Sequence, residues 1–526
     1  MEASQSAART GLNLTVKNSI WNVLSFLASA GIMFFSMPLM LSMLGTEQYG
    51  VMVLLTAVLA PLGLTTLNLA QATVKYVAEA VGRGSMQEAA QFVQTTLLFN
   101  IGTGLVGSAG LAAVAGVLVK HVFIISPESQ VMSQNCLYWV AAGWTVVQVA
   151  STFLAVPTAL QQYPLVASGT TLQALLSAGL GLSVLFAGGN LLSFVKAQFV
   201  VQVLAMLGWF VVAKRLLPDS SLLPRWHTGA FRTSFRYGSW QTIANVGSMM
   251  ANQTDKYVLG ALLPASAVGL YNIALAIEQR AYAFVYKLAE VLFPAFSDLQ
   301  ARNDRKREGL ALMRASWLLT TLSASMLIPV LVWGREFLAL WMGRQVADGS
   351  YRVLQILALA GLLGSASNAG AFYLLGSGRT KWSAFIAWAT GICVLVGSLL
   401  LIPRLGLEGA GWSNVAAMVV QAGAVTIMWK TVFGSDSHWA PFVSALYGPI
   451  VVGLFVAGIL RWVKSMLQLQ IGWPQFIVGC GCSSLLVFLA ILAADRRLPG
   501  GNIRAADISI LQARFLGLTR YFRLAR

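Results

Sequence analysis

The stretch WSAFIAWATGICVLVGSLLLI, from Trp382 to Ile402, decides the fold class, because it runs for 21 residues without one charged side chain. A helix of about 20 apolar residues is long enough to cross the hydrocarbon core of a bilayer. The whole chain has the same character, with 57% hydrophobic and only 10% charged residues and a mean hydropathy of +0.72. Lipid must therefore be the solvent, and we expect an all-α polytopic membrane protein.

About fourteen segments of this kind follow one another, and we predict that each forms a transmembrane helix. The predicted spans are Asn18–Leu44, Val51–Val77, Phe92–Val119, Val131–Ala159, Leu165–Ala187, Leu191–Ala213, Trp240–Leu263, Val268–Ala289, Leu310–Trp333, Val353–Leu375, Trp382–Ile402, Gly409–Trp429, Pro441–Val463 and Trp473–Ala493. They predict a cytoplasmic N-terminus (1–17), a six-span N-lobe (18–214), a cytoplasmic linker (215–235), a six-span C-lobe (236–433), two extra spans (434–494) and a basic amphipathic cytoplasmic tail (495–526).

Basic residues are distributed unevenly between the two sides of the predicted membrane. The chain carries 35 Lys and Arg against 18 Asp and Glu, which gives a net charge of +17. If successive loops are assigned to opposite sides of the membrane, most of the basic residues fall on the same side as the two termini. The opposite side has little beyond Lys120, Arg335, Arg344, Arg404, Arg461 and Lys464. Because cytoplasmic loops carry the excess of Lys and Arg, we expect a cytoplasmic (inner) membrane protein with both termini in the cytoplasm, and no nucleic-acid partner.

The two groups of six spans resemble one another. Trp21 opens the first span and Trp240 opens the seventh, while Gly50 and Gly269 lie in the turns after those spans; both pairs are 219 residues apart. An even number of spans in each copy gives both lobes the same orientation. We therefore predict a parallel pseudo-repeat about an axis along the membrane normal, with a substrate path at the interface of the lobes. Chance recurrence of common residue types is the alternative.

Several charged residues fall inside the predicted spans, where burying a charge costs enough free energy to indicate a function. The basic ones are Lys75, Lys196, Lys256, Arg280 and Arg314, and the acidic ones are Asp255 and Glu278. Neighbouring helical residues point about 100° apart, so Asp255 and Lys256 do not face each other. Basic groups lining a water-filled cavity would attract a phosphate or an acidic sugar. Asp255 and Glu278 are candidates for coupling to H⁺ or Na⁺; alternatively they only neutralise Lys256 and Arg280.

No catalytic or metal-binding constellation accompanies these charges. The three histidines lie far apart in the sequence, and the C-x-C of Cys480 and Cys482 has no further ligand nearby to complete a metal shell. A Walker-A run is also absent from the sequence. We therefore predict neither an enzyme nor a resident metal or cofactor, apart from the coupling ion.

Several short motifs carry a family resemblance. They are LGTEQYG (44–50), AQATVKYVAE (70–79), TDKYVLG (254–260) followed by VGLY (268–271), FPAFS (293–297), LWMG (340–343) and IPRLGLEGA (402–410). Through these motifs, about the first 430 residues resemble the polysaccharide transporter family, which comprises the O-antigen and exopolysaccharide flippases. That family belongs to the multidrug/oligosaccharidyl-lipid/polysaccharide flippase superfamily.

This resemblance implies a V-shaped pair of six-helix lobes that works by alternating access. The implied cargo is an undecaprenyl-diphosphate-linked oligosaccharide, such as an O-antigen or exopolysaccharide repeat unit, bound in a basic central cavity. On this chain that role falls to Lys75, Lys256 and Arg280, with Lys196 and Arg314 as further members. The implied partners are the lipid-linked oligosaccharide, membrane lipids, a polysaccharide polymerase and glycosyltransferases.

Three other functions stay open from the sequence. A cation-coupled multidrug extruder would carry a net acidic cavity, whereas the charges here are mostly basic. A membrane glycan ligase or polymerase would need a sizeable outer loop with catalytic residues, whereas the predicted outer loops are short. A scaffold for a synthesis complex would not need charged residues deep in its spans.

Overall fold

The computed structural model describes residues 2–497 and 499, apart from 219, 290–291, 302–304, 435–438 and 468–471. The predicted amphipathic helix of the basic tail lies outside the described residues. Within them the fold is all-α, and the chain divides into two compact units, Met1–Asn272 and Ile273–Arg526.

The first unit contains eight helices and the first part of a ninth, among the residues described. They are α1 (Glu2–Ala57), α2 (Leu59–Thr65), α3 (Leu69–Gly82), α4 (Met86–Val117), α5 (Pro127–Ala159), α6 (Tyr163–Phe186), α7 (Leu191–Leu216), α8 (Thr228–Leu262) and the start of α9 (Ala265–Ala289). A single π-helical turn, Leu118–Val122, continues α4. The apolar core of this unit packs around Val93, Leu97, Val156 and Ala213.

The second unit contains the rest of α9 and all later helices. They are α10 (Leu292–Ala301), α11 (Arg305–Met342), α12 (Arg344–Ser365), α13 (Asn368–Gly376), α14 (Thr380–Leu405), α15 (Leu407–Phe433), α16 (Trp439–Leu467) and α17 (Trp473–Asp495). Its core extends from α11 and α12 to α16, where the ring of Phe442 stacks on Trp429 with centroids 3.9 Å apart. The boundary at Asn272 falls within α9, so the predicted division into lobes at residues 215–235 stays a prediction.

Eleven helices in the described part of the chain are long and apolar enough to cross a membrane. This confirms the all-helical multi-pass fold but not the count of fourteen. The helical stretch Leu24–Thr65 covers most of the first predicted span, Asn18–Leu44, and the first part of the second, Val51–Val77. The seventh and eighth predicted spans form α8 and α9, which are helical and long, but polar residues such as Asp255 and Glu278 lower their hydropathy.

Breaks in the helices lie where the backbone leaves helical geometry. The first is Gly45 (φ 73°, ψ 171°), inside α1, in the stretch where the sequence predicts the first turn. This φ is one that glycine adopts without strain. A second break lies between α2 and α3, where Leu67 and Asn68 have φ of 50° and 51°. The second predicted span, Val51–Val77, is therefore interrupted rather than continuous.

The two helices that lack a counterpart in the predicted repeat, α16 and α17, pack against α11. Lys464 forms an ion pair with Glu336 (2.6 Å) and donates to the carbonyl of Val332, while Arg461 donates to the carbonyl of Leu331 (2.7 Å). The indole N–H of Trp333 donates to Ser483 Oγ. Lys464 and Arg461 lie on the side of the predicted membrane that has few basic residues. Their contacts with α11 account for two basic residues on that side.

Candidate functional site

The seven predicted site residues are distributed over both compact units. Lys75, Lys196, Asp255 and Lys256 belong to the first unit, and Glu278, Arg280 and Arg314 belong to the second. Lys256 and Arg280 lie in different units. The sequence predicts that both line one shared cavity, and this stays a prediction.

The carboxylate of Asp255 is held inside the first unit. Its residue is only 1% exposed, and its Oδ2 accepts a short hydrogen bond from the hydroxyl of Tyr271 on α9. Its Oδ1 accepts from the backbone N–H of Lys256 (2.8 Å). Charge-assisted bonds of this kind are about twice as strong as neutral ones. Asp255 thus joins the TDKYVLG motif on α8 to the VGLY motif on α9.

Lys256 is a buried cation whose bonds run along its own helix. The residue is 8% exposed, and its Nζ donates to the carbonyl of Asn252 (3.0 Å) and to Gln253 Oε1 (3.1 Å). Within the described residues no carboxylate lies at ion-pair distance from Nζ. An ammonium group has three donors, so one N–H is left for a further acceptor. Among the contacts of the described residues, Asp255 bonds to the backbone N–H of Lys256 and not to its ammonium group.

The break between α2 and α3 is held by polar side chains of α8, a contact that the sequence did not indicate. Asn68 Nδ2 donates to Thr242 Oγ1 (3.3 Å), and Asn245 Nδ2 donates to Asn68 Oδ1 (3.2 Å). A Cβ atom on Gly238 would lie 2.0 Å from the carbonyl oxygen of Leu67, so only glycine permits this approach. Interrupted helices of transporters commonly form binding sites, because their backbone groups are available to ligands.

Lys75 lies two turns after this break, on α3. Its Nζ lies 3.8 Å from Glu79 Oε1 and about 5 Å from the ring centroids of Tyr76 (4.9 Å) and Tyr237 (5.0 Å). Both members of the ion pair are nearly half exposed, at 44% and 46%, so the pair contributes little to stability. Lys75 is thus an accessible cation flanked by two aromatic rings.

The remaining basic candidates are exposed on the surfaces of their helices. Lys196 on α7 lies over the indole of Trp139, 5.7 Å from its centroid. Arg280 on α9 and Arg314 on α11 are both exposed, and each has an interaction with another group. The role in cargo binding that the sequence predicts for Lys196, Arg280 and Arg314 stays a prediction.

Glu278 is a buried carboxylate in the second unit. It is 9% exposed, and its Oε1 occupies the space that a Cβ atom on Gly361 of α12 would need, 2.3 Å away. One turn later on α9, the hydroxyl of Tyr282 donates to Asn368 Oδ1. Among the described residues no hydrogen bond or ion pair reaches Glu278. Its oxygens therefore keep their capacity to accept a hydrogen bond or to bind a cation.

The family motifs contribute mainly structural contacts. In LGTEQYG, Glu47 accepts from the backbone N–H of Ser126 (3.3 Å), and Tyr49 accepts from Asn272 (3.0 Å). In TDKYVLG, the hydroxyl of Tyr257 donates to the carbonyl of Ala57 (2.7 Å), at the end of α1. These residues therefore identify the architecture and not the cargo.

Comparisons with known proteins agree with this fold. The chain is 21% identical to the uncharacterized membrane protein EpsK of Bacillus subtilis, over 90% of this chain and 95% of that protein. It is 19% identical to a proposed O-antigen transporter of Shigella flexneri, over 77% of this chain and 96% of that protein. Its structure superposes on the lipid II flippase MurJ in an inward closed conformation with a TM-score of 0.68, at 12% identity, over 92% of this chain and 99% of that chain.

These relatives are named as a membrane protein, a transporter and a flippase, and none is named as an enzyme. A family model described as polysaccharide biosynthesis protein matches residues 15–300, which is more than half of the chain. This multi-pass membrane protein therefore belongs to the polysaccharide biosynthesis protein family.

Proposed function

We propose that this protein is a flippase that moves an undecaprenyl-diphosphate-linked oligosaccharide across the cytoplasmic membrane by alternating access. The cargo would be made on the cytoplasmic face by glycosyltransferases and passed on to a polysaccharide polymerase. The names of the relatives, an O-antigen transporter and a lipid II flippase, support a glycan carried on a lipid. The proposed topology has both termini in the cytoplasm.

The single observation that carries the proposal is the buried ammonium group of Lys256. A charge inside a membrane span costs roughly 2.5–3.5 kcal/mol on insertion scales, and two neutral acceptors on its own helix offset only part of that cost. A phosphate oxygen is a fitting further acceptor, because it carries the opposite charge. A diphosphate crossing the membrane needs such a fixed positive group.

Lys75 and its aromatic neighbours support a role in binding the glycan part. The cation lies close to the rings of both Tyr76 (4.9 Å) and Tyr237 (5.0 Å), on the helix that follows the polar break at Asn68. Aromatic faces pack on the apolar faces of sugar rings, while amide and hydroxyl groups bond the sugar hydroxyls. Arg280, Arg314 and Lys196 are proposed as further groups that bind the anionic cargo.

The test is complementation of a flippase-deficient strain whose surface glycan is measured. We expect Lys256→Ala and Arg280→Ala each to abolish glycan export while membrane levels stay normal. Arg280→Lys should restore export only partly, because a point charge replaces a bidentate fork.

Lys120→Ala is the matched control, since it removes an exposed lysine from the π-helical turn after α4. It should leave export unchanged. Full export by both Lys256→Ala and Arg280→Ala, at protein levels equal to the wild type, would refute the cationic mechanism.

A second candidate function is a cation-coupled multidrug extruder, favoured by the buried carboxylate of Glu278. A cationic drug would be attracted to that group. Accumulation of a fluorescent cationic dye in cells separates the two functions. An extruder would lower dye accumulation in a Glu278-dependent manner, whereas the proposed glycan flippase would leave it unchanged.

A further inference from the structure

A cleft of about 580 Å³ opens in the second unit between α11, α12, α15 and α16. This volume lies in the range of about 300–1,000 Å³ that is typical of small-molecule sites. One wall belongs to α16, a helix without a counterpart in the predicted repeat. No predicted site residue lines this cleft, so it is separate from the proposed cargo site.

The cleft changes from polar to apolar along its length. Arg352, close to the start of α12, and Arg461, close to the end of α16, lie at its polar end. Because α12 and α16 run in opposite directions, these arginines lie at the same membrane edge. The deeper part of the lining is apolar and includes Leu359 and Leu454, which are further inside their helices.

Aromatic residues mark the polar end as the membrane–water interface. Tyr351 and Trp412 line the cleft there, and Trp412 is 40% exposed. Tyr and Trp concentrate at both interfaces of membrane proteins, because one part of each ring is apolar and another forms hydrogen bonds. The cleft thus runs from the headgroup region into the hydrocarbon region.

Among the hydrogen bonds of the described residues, the two guanidinium groups leave some of their N–H donors unused. Arg352 donates to Tyr351 (3.1 Å) and to Glu408 (3.4 Å), and Arg461 donates to the carbonyl of Leu331 (2.7 Å). Each guanidinium has five N–H donors. Among the described residues that line the cleft, one carboxylate, Glu408, stands against two arginines, so they give its polar end an excess of one positive charge.

We propose that this cleft binds an anionic phospholipid, with the phosphate on Arg352 and Arg461 and one acyl chain along Leu359 and Leu454. Charge complementarity identifies the headgroup, since arginine forks match phosphate oxygens. The apolar floor distinguishes a lipid from a free phosphate, which would gain nothing from it. In the predicted topology this is a lipid of the outer leaflet, held between α16 and the helices α12 and α15.

The first test measures lipid binding to the purified full chain by native mass spectrometry. The probes are palmitoyl-oleoyl phosphatidylglycerol and the phosphatidylethanolamine with the same acyl chains. We expect phosphatidylglycerol to bind about ten-fold more tightly, because the ammonium group of phosphatidylethanolamine makes that lipid neutral and is repelled by the excess positive charge of the cleft. The double variant R352A/R461A should lose this preference.

Arg335→Ala is the matched control for the arginines. Arg335 also lies beside Tyr351, with its guanidinium 5.5 Å from the ring centroid, but it is paired with Asp348 and does not line the cleft. The lipid preference should survive this change. An equal loss in Arg335→Ala, or no preference in the wild type, would overturn the proposal.

The second test fills the apolar part of the cleft and leaves both arginines in place. Gly458 lines the cleft, and a Cβ atom there would meet nothing within 4 Å. Gly458→Leu should therefore fold. It should lower the affinity for phosphatidylglycerol about five-fold or more, because the leucine side chain covers apolar surface that the acyl chain would otherwise bury. Gly481→Leu, also at an open position, is the control and should bind as the wild type does.

Glycerol 1-phosphate serves as a competitor without acyl chains. We expect it to displace phosphatidylglycerol only at concentrations far above those of the lipid. Displacement at equal concentration, or unchanged lipid binding in Gly458→Leu, would show a phosphate site without an acyl site and would overturn the lipid assignment.

Discussion

At the residue scale, the two buried carboxylates differ in how their charge is compensated. Asp255 accepts from the hydroxyl of Tyr271 and from the backbone N–H of Lys256. Glu278 lies against Gly361, and no hydrogen bond reaches it within the part of the chain that the structure describes. The hydrogen bonds of Asp255 tie its carboxylate to α9 and to its own helix, whereas the carboxylate of Glu278 has no such bond among the described residues to break when it binds an ion. The sequence suggested both residues for ion coupling, and this difference favours Glu278.

We predict that Glu278→Gln removes the dependence of glycan export on the proton or sodium gradient. The neutral amide fits the same space beside Gly361 but cannot gain or lose a proton. Export by membrane vesicles, measured against pH and sodium concentration, checks this.

Asp255→Asn is the comparison variant for Glu278→Gln. It should keep the ion dependence and instead lower stability by about 1–3 kcal/mol, because a buried charge-assisted bond is weakened. Ion dependence that survives in Glu278→Gln, or that disappears only in Asp255→Asn, would contradict the assignment.

At the element scale, α1 and α9 approach each other at two glycines. A Cβ atom on Gly50 would lie 1.7 Å from the carbonyl oxygen of Ala265, and one on Gly269 would lie 2.7 Å from the carbonyl oxygen of Thr46. Small residues let the backbones of membrane helices come close enough to pack. Both clashes are with backbone atoms, so a side chain rotation cannot relieve them.

We predict that Gly50→Ala lowers the unfolding free energy by about 1–3 kcal/mol, the range for overpacking a well-packed contact. Thermal unfolding of the purified protein in detergent measures this. Gly31→Ala, also on α1 but with nothing within 4 Å of its Cβ position, is the control. Equal melting temperatures for the two variants would show that the close approach does not stabilise the protein.

The sequence predicts some features of these elements and not others. The turn at Gly45 was predictable, because a glycine lies where one apolar span ends and another begins. The break at Leu67–Asn68 was not predicted, because a single Asn in an apolar stretch does not by itself end a helix, although Asn68 is a residue type that tolerates the left-handed region. The bond between Asp255 and Tyr271 also could not be predicted, because it depends on how two helices are rotated about their axes.

At the scale of the whole molecule, the apolar composition sufficed to predict an all-helical multi-pass membrane protein. The motifs likewise predicted the family, because they form the contacts that the fold requires. The cargo site could not be predicted in the same way. Which charged residues share a cavity depends on the conformation of the whole molecule, and the lobes of a transporter change conformation as they work.

We predict that both termini face the cytoplasm. A variant without native cysteines should react with a membrane-impermeant maleimide in intact cells when Glu128→Cys is introduced at the start of α5, where the residue is exposed. Gln87→Cys, exposed at the start of α4, should react only after the membrane is permeabilised. The reverse pattern would invert the topology.

The contact between Gly50 and Gly269 has a consequence for the history of the chain. The two glycines are 219 residues apart, the same offset that separates Trp21 from Trp240, and they lie against each other. When two copies are related by a two-fold axis, a residue that touches its own counterpart lies on that axis. If the predicted repeat arose from a half-length ancestor that assembled as a homodimer, this one glycine lay at the centre of an isologous interface. Fusion of the two genes then made it two positions, and both are still glycine because a Cβ atom at either would meet backbone.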